Sequence, residues 1–250
     1  MKIMLLSDLH LEFIGGGASY IQRLDPTGVD VLVLAGDVST REFLIHGLRL
    51  ICSRFGHVVY VTGNHEFYNE NPNAVKRDLR SLEMEAENFH FLDNETWTHD
   101  NLTFAGSPLW FPYAESNKKY HHSFSDFVFI KPVHKTAYDW IYAEHEKSRA
   151  FLAEASKTAD VFITHHIPSY KAVAPRWVGS ELNPFFVGDV TDIIESIERP
   201  TTWLFGHSHD PGKFKIGKAN LVINPKGYPD EKRATGFVEK LILEIGNGSR

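Results

Sequence analysis

At five places in this chain a short, largely apolar run stops at aspartate, asparagine or histidine. Lys2 to Ser7 leads into Asp8-Leu9-His10, and Val31 to Ala35 into Gly36-Asp37. Val58 to Thr62 leads into Gly63-Asn64-His65-Glu66. Asp160 to Thr164 leads into His165-His166, and Thr202 to Phe205 into Gly206-His207-Ser208-His209. Such runs read as buried strands. In a sheet packed against helices, ligands collect outside the strand ends, so five ends of this kind can surround one small volume. Asp8 and His10, two residues apart, share a side if the segment is extended.

The intervals between the runs support a layered α/β fold. Thr40 to Phe55 places Phe43, Leu44, Leu48, Ile51 and Cys52 at helical spacing. Asn71 to Glu87 reads as a helix with Pro72 at its start, and Thr136 to Thr158 and Asp189 to Glu198 as two more. Strand, helix and strand in alternation predict a partly parallel sheet covered by helices. Thr202 to Phe205, Lys213 to Ile216, Ala219 to Asn224 and Gly236 to Ile245 have no helix between them, which predicts antiparallel pairing. Ser107 to Lys135 is aromatic-rich without a clean period and reads as an irregular insertion holding one short helix. Pro168 to Gly188 reads as a long loop. No repeat or linker interrupts residues 1–250, so one domain is expected.

Composition narrows the class. The 250 residues are 42% hydrophobic and 23% charged, ordinary for a globular protein. The single cysteine, Cys52, excludes an internal disulfide framework, and no window is long and apolar enough for a membrane span. A cytoplasmic location is expected. The net charge of -6 argues against a broad basic surface for nucleic acid. The dense basic stretches, Lys118-Lys119 and Lys226 with Lys232-Arg233, read as solvated faces. Cys52, on a helical face, reads as core.

Each cluster alone is commonplace. An aspartate after a strand is more often a turn residue or helix cap than a ligand. Gly-Asp is a common turn dipeptide, and exposed histidines are frequent. Five such coincidences at five strand ends call for a joint explanation. Imidazole and carboxylate without thiolate suit Mn, Fe, Zn and similar divalent ions and argue against a structural zinc site. Asp37, alone after its strand, is the natural carboxylate to bridge two ions.

These residues resemble the signature of the calcineurin-like metallophosphoesterases: D-x-H, G-D, G-N-H-[DE], H and G-H-x-H, all present in order between Asp8 and His209. The resemblance implies a four-layer α/β/β/α sandwich with mixed sheets and a dinuclear site at one edge. It implies that Asp8, His10 and His209 hold one ion, that Asn64, His165 and His207 hold the second, and that Asp37 bridges them. The ions would be Mn2+, Fe, Zn2+, Ni2+ or Mg2+. His65 would face the substrate, stabilising charge or protonating the leaving oxygen, with Glu66 as its partner. His166, with Pro168, is an alternative to His165, which directly follows the strand. A hydroxide between the ions would attack phosphorus in line.

The expected substrate is a small-molecule or nucleotide phosphoester, monoester or diester. A nuclease or protein phosphatase of the same fold is the alternative, and a non-catalytic scaffold the more distant one. Trp110, Arg176 and Asn183 are candidate substrate contacts. The Asn224-Pro225-Lys226-Gly227-Tyr228 turn is given no catalytic role, and no segment specifies an oligomeric state.

Overall fold

The computed structural model describes residues 1–231 and 236–246; Lys232 and Arg233 lie outside them. Two sheets form the centre of the molecule. The first has the order β11-β1-β2-β3-β4, built from β1 (Lys2–Leu6), β2 (Val31–Ala35), β3 (Val58–Val61), β4 (Phe89–Phe91) and β11 (Ile242–Glu244). The second has the order β5-β6-β7-β8-β10-β9. Its strands are β5 (Glu95–His99), β6 (Leu102–Ser107), β7 (Val161–Thr164), β8 (Thr201–Phe205), β9 (Gly212–Ile216) and β10 (Ala219–Ile223).

Alternation along the strands produces the layers. Ile3, Leu5, Val31, Val33, Val59 and Val61 pack against Phe104, Val161, Ile163, Leu204 and Val222, so the two sheets meet face to face. Met4, Leu6, Leu32, Leu34 and Tyr60 point the other way, onto helices α2 (Arg41–Cys52) and α3 (Pro72–Glu85) and the shorter α1 (Gly17–Arg23). Phe162, Trp203, Phe205 and Leu221 pack onto α5 (Ala137–Ala155) and α6 (Thr191–Ser196). The result is the expected four-layer α/β/β/α sandwich with mixed sheets. Because both faces of each central strand are covered, those strands read as unbroken apolar runs.

Helix starts follow local chemistry. Asn71 accepts from the Asn73 backbone N–H ahead of Pro72, and Thr136 accepts from that of Asp139. These side chains satisfy donors that a helix's first turn leaves free. Residues 107–135 contain α4 (Ser125–Phe129) and a 3-10 turn at Glu115–Tyr120.

The C-terminal strands depart from the antiparallel expectation. β10 runs parallel to β8, with Leu221 beside Trp203. Only β9 pairs antiparallel with β10, through the turn at Gly217 (φ 54°). The strand expected over Gly236 to Ile245 shortens to β11 and joins the first sheet, antiparallel to β1 with Leu243 beside Ile3. Among the described residues no helix is long and apolar enough to cross a membrane.

Candidate metal centre

The five strand ends converge. Asp8 and His10 follow β1, Asp37 follows β2, Asn64 and His65 follow β3, His165 follows β7, and His207 and His209 follow β8. The first three segments leave one sheet and the last two leave the other, so the site straddles the seam between them. All these residues except His209 are buried.

An extended backbone is not what aims Asp8 and His10 inward. Both adopt left-handed φ, 52° and 45°, as do Asp37 (53°), His207 (76°) and His209 (49°). Such values are uncommon for residues with a Cβ and gather where surrounding structure holds them. Here neighbouring loops do so. Asp8 N–H donates to the Gly36 carbonyl and His10 N–H to that of Asp37. The His207 N–H donates to the Asp8 carboxylate at 3.0 Å. Gly36, at φ 85°, and Gly63 allow the close approach. A Cβ on Gly63 would overlap Asp37 Oδ1, and one on Gly36 would overlap the His165 ring.

Ligand-type atoms face one another in three overlapping groups: Asp8, His10 and His209; His10, Asp37 and His65; and Asp37, His165 and His207, each within 4.8 Å. His165 Nε2 lies 3.4 Å from Asp37 Oδ2 and 3.1 Å from Asn64 Oδ1. His209 Nε2 lies 3.5 Å from Asp8 Oδ1 and 3.1 Å from His10 Nε2. The other ring nitrogen is occupied in three cases. His165 Nδ1–H donates to the Ala35 carbonyl (2.9 Å), His209 Nδ1–H to Glu231 (2.7 Å) and His10 Nδ1–H to Glu12 (3.3 Å). Each bond turns Nε2 inward, the orientation metal-binding histidines adopt. The Asn64 amide is oriented likewise: its Nδ2 donates to Asp126 (2.8 Å) and the Tyr68 hydroxyl (2.9 Å), turning its oxygen inward. His207 Nε2 is buried without a hydrogen-bond partner. An orphaned buried nitrogen beside carboxylate and imidazole donors fits divalent cations.

Electrostatics agree. Burial opposes charge on Asp37, but the neighbouring His165 and His65 hold its carboxyl well below the usual range. Burial likewise opposes protonation of His165, and Asp37 outweighs it, raising the ring to about 10. His209 rises to about 9 against its burial, through Asp8.

Several expected partners are rearranged. Glu66 does not touch the His65 ring. Its carboxylate accepts from the backbone N–H groups of Gly63 (2.7 Å), Val38 (2.7 Å) and Asp37 (3.2 Å), tying the β2 and β3 loops together. Burial, and then the Asp37 charge, lift it to about 8. His65 Nδ1 donates instead to Glu12 (3.3 Å), which also receives His10, and its Nε2 lies 3.0 Å from the Tyr228 hydroxyl. Tyr228 therefore brings the Asn224–Tyr228 turn into the site, where Gly227 N–H bonds the Asp8 carbonyl. His166 Nδ1–H donates to the Pro108 carbonyl at 3.2 Å, its Nε2 is buried without a hydrogen-bond partner, and its ring lies 4.3 Å from that of His207. Trp110 is a core residue rather than a cleft one, fully buried between Phe67, Trp140 and His166. Arg176 and Asn183 do line the cleft above the centre. Glu12, Tyr68 and Asp126 escape sequence reading because each becomes a partner only through the tertiary fold, whereas Tyr228 belongs to a turn that the sequence marks without assigning it a catalytic role.

Residues 1–211 match the family model described as calcineurin-like phosphoesterase. The chain is 27% identical over 267 residues to an uncharacterized protein of Acanthamoeba polyphaga mimivirus, covering 93% of each. Among solved structures, phosphopantetheinyl hydrolase from Mycobacterium tuberculosis has a TM-score of 0.72 at 20% identity, over 91% of this chain and 90% of that one. A dimetal phosphatase from Danio rerio has a TM-score of 0.52 at 14% identity, over 91% and 88%. At these identities the two structures establish likeness of fold.

Proposed function

Because the chain belongs to the calcineurin-like phosphoesterase family, and so is a metal-dependent phosphoester hydrolase, we propose that the centre between its sheets hydrolyses a small-molecule or nucleotide phosphoester. The carrying observation is the convergence of Asp8, His10, Asp37, His165, His207 and His209 in overlapping groups within 4.8 Å. In this reading Asp8, His10 and His209 would hold one divalent ion and Asn64, His165 and His207 the second, with Asp37 available to both. Mn2+, Fe, Zn2+, Ni2+ and Mg2+ all suit these donors, and ions held there would supply a nucleophile at neutral pH and offset charge on phosphoryl oxygens.

The protein's own groups do the rest. His65 faces the cleft with Nδ1 fixed by Glu12 and Nε2 beside Tyr228. From there it stabilises developing charge or delivers a proton to the leaving oxygen. Asp126 and Tyr68 hold the Asn64 oxygen toward its ion. Glu66 holds the Asp37 loop. Cys52 takes no part: burial raises its thiol to about 12. Its free, buried state supports a cytoplasmic location, and the whole chain acts as one domain.

The test is hydrolysis of p-nitrophenyl phosphate and bis-p-nitrophenyl phosphate by metal-stripped protein, with Mn2+, Ni2+, Zn2+ or Mg2+ restored and bound metal counted. Metal-dependent turnover with about two ions per chain is expected, and the preferred ester separates monoesterase from diesterase. Absence of both bound metal and turnover would overturn the reading.

A further inference from the structure

The floor of the cleft is polar, but its wall is of another kind. The cleft, about 330 Å³, is bounded by Phe124 and, from the loop after β7, by Val173, Ala174, Trp177, Leu182 and Phe186. This apolar wall starts at the centre itself, where the Phe186 ring stacks on His207 with centroids 4.5 Å apart. It ends at solvent, with Trp177 42% and Leu182 44% exposed. Apolar surface left open beside a few convergent polar groups is the usual make-up of a small-molecule site.

Arg176, Trp177 and Asn183 on this wall are engaged with protein partners. Arg176 is the only lysine or arginine among the described residues lining the cleft. Its guanidinium donates to Asp210 at 2.7 and 3.2 Å and lies 5.0 Å from the centre of the Trp177 ring. Trp177 Nε1 donates to the same carboxylate at 2.8 Å. Asn183 Nδ2 donates to the Trp177 carbonyl at 2.9 Å. These bonds brace the loop and hold the Trp177 ring in place.

We infer that the alcohol released by this enzyme is apolar or amphipathic, and is seated on the Phe124–Val173–Trp177–Leu182–Phe186 wall. The inference rests on the phosphoesterase reading above. In the reaction, water adds its oxygen to phosphorus as the ester P–O bond breaks, and the alcohol leaves with a proton taken from that water.

Ethyl, butyl, hexyl and octyl phosphate test this, because their leaving groups are nearly alike in acidity and differ in apolar area. With the Mn2+-loaded protein, kcat/KM is expected to rise about two- to fourfold per methylene until the wall is filled. The matching alkylphosphonates, which are not hydrolysed, give a readout without turnover: by calorimetry their Kd should tighten along the series with a negative heat-capacity change. Leu182→Ser and Val173→Ser should flatten both series, with bound metal counted to show that the centre is intact. Flat series in the wild-type protein, or glycerol phosphate preferred tenfold over octyl phosphate, would overturn the inference and leave the hydrolase reading standing. Phosphonates that tighten with chain length while no ester is turned over would support the apolar seat and count against the hydrolase reading.

Discussion

At the scale of single residues, the proposed reading separates ion-holding groups from groups that act on substrate. Asp37→Asn removes the carboxylate shared by both sets, so bound metal should fall together with turnover; full metal content in this variant would refute the shared role. His65→Gln should behave differently, lowering kcat about 10²- to 10⁴-fold while metal analysis gives the wild-type count. Glu12→Gln should cost about 10- to 100-fold in activity or metal affinity, because one Glu12 oxygen steers both His10 and His65. Asp37 raises His165 to about 10 and Asp8 raises His209 to about 9 against their burial, so protonation of these rings competes with ion uptake at neutral pH, and apparent affinity should rise from pH 7 toward pH 9. Calorimetry in buffers of different ionisation enthalpy should count about two protons released per chain; none released would show that these rings are not ligands. The metal-type residues were legible because each interrupts an apolar run. Glu12 and Asp126 were not, since a lone carboxylate gains a role only when the fold brings a partner to it.

At the scale of elements, the strand ends are set by backbone contact as much as by side chains. Gly63 sits where a Cβ would meet Asp37 and come within 2.7 Å of His165 Nε2. Gly63→Ala should therefore lose metal and about 1–3 kcal/mol of stability, read as a drop in Tm. Gly56→Ala, with no atom within 4 Å of its added methyl, should do neither. Legibility varied with burial. Strands β1, β2, β3, β7 and β8 announce themselves because both faces are covered. β5 escaped because it lies at a sheet edge with Glu95, Thr96 and Thr98 exposed, leaving no apolar pattern to read. α1 escaped because it opens on glycines and spans only Gly17–Arg23. The parallel pairing of β10 with β8 was hidden as well: three closely spaced strands suggest hairpins, and nothing local says that β9 takes the outer place.

At the scale of the molecule, the two sheets meet through an apolar interface and again at the centre. Asp8, His10, Asp37 and Asn64 belong to one sheet's strand ends and His165, His207 and His209 to the other's. Ions bound there would hold the layers together, since anything bound only by the folded state stabilises it. At 100 times the Kd that contribution is about 2.7 kcal/mol per ion, which for a chain of this size raises Tm by about 5–10 °C. Thermal unfolding before and after chelation measures it; an unchanged Tm on removing bound metal would show that the centre does not tie the sheets. The layered architecture was legible as helices on a parallel sheet, whereas the second sheet was expected only through family resemblance, since packing of one sheet on another leaves no period of its own.

The same geometry sets a timetable for biosynthesis. His10 and His209 meet at 3.1 Å although 199 positions separate them. On a ribosome adding about 5–20 residues per second, Asp8 and His10 wait on the order of ten to forty seconds before His209 exists. Throughout that interval the nascent chain displays carboxylates and imidazoles with no complete cage, so ion capture becomes a late event, a chemical signal that synthesis has passed its last ligand and that both sheets have docked.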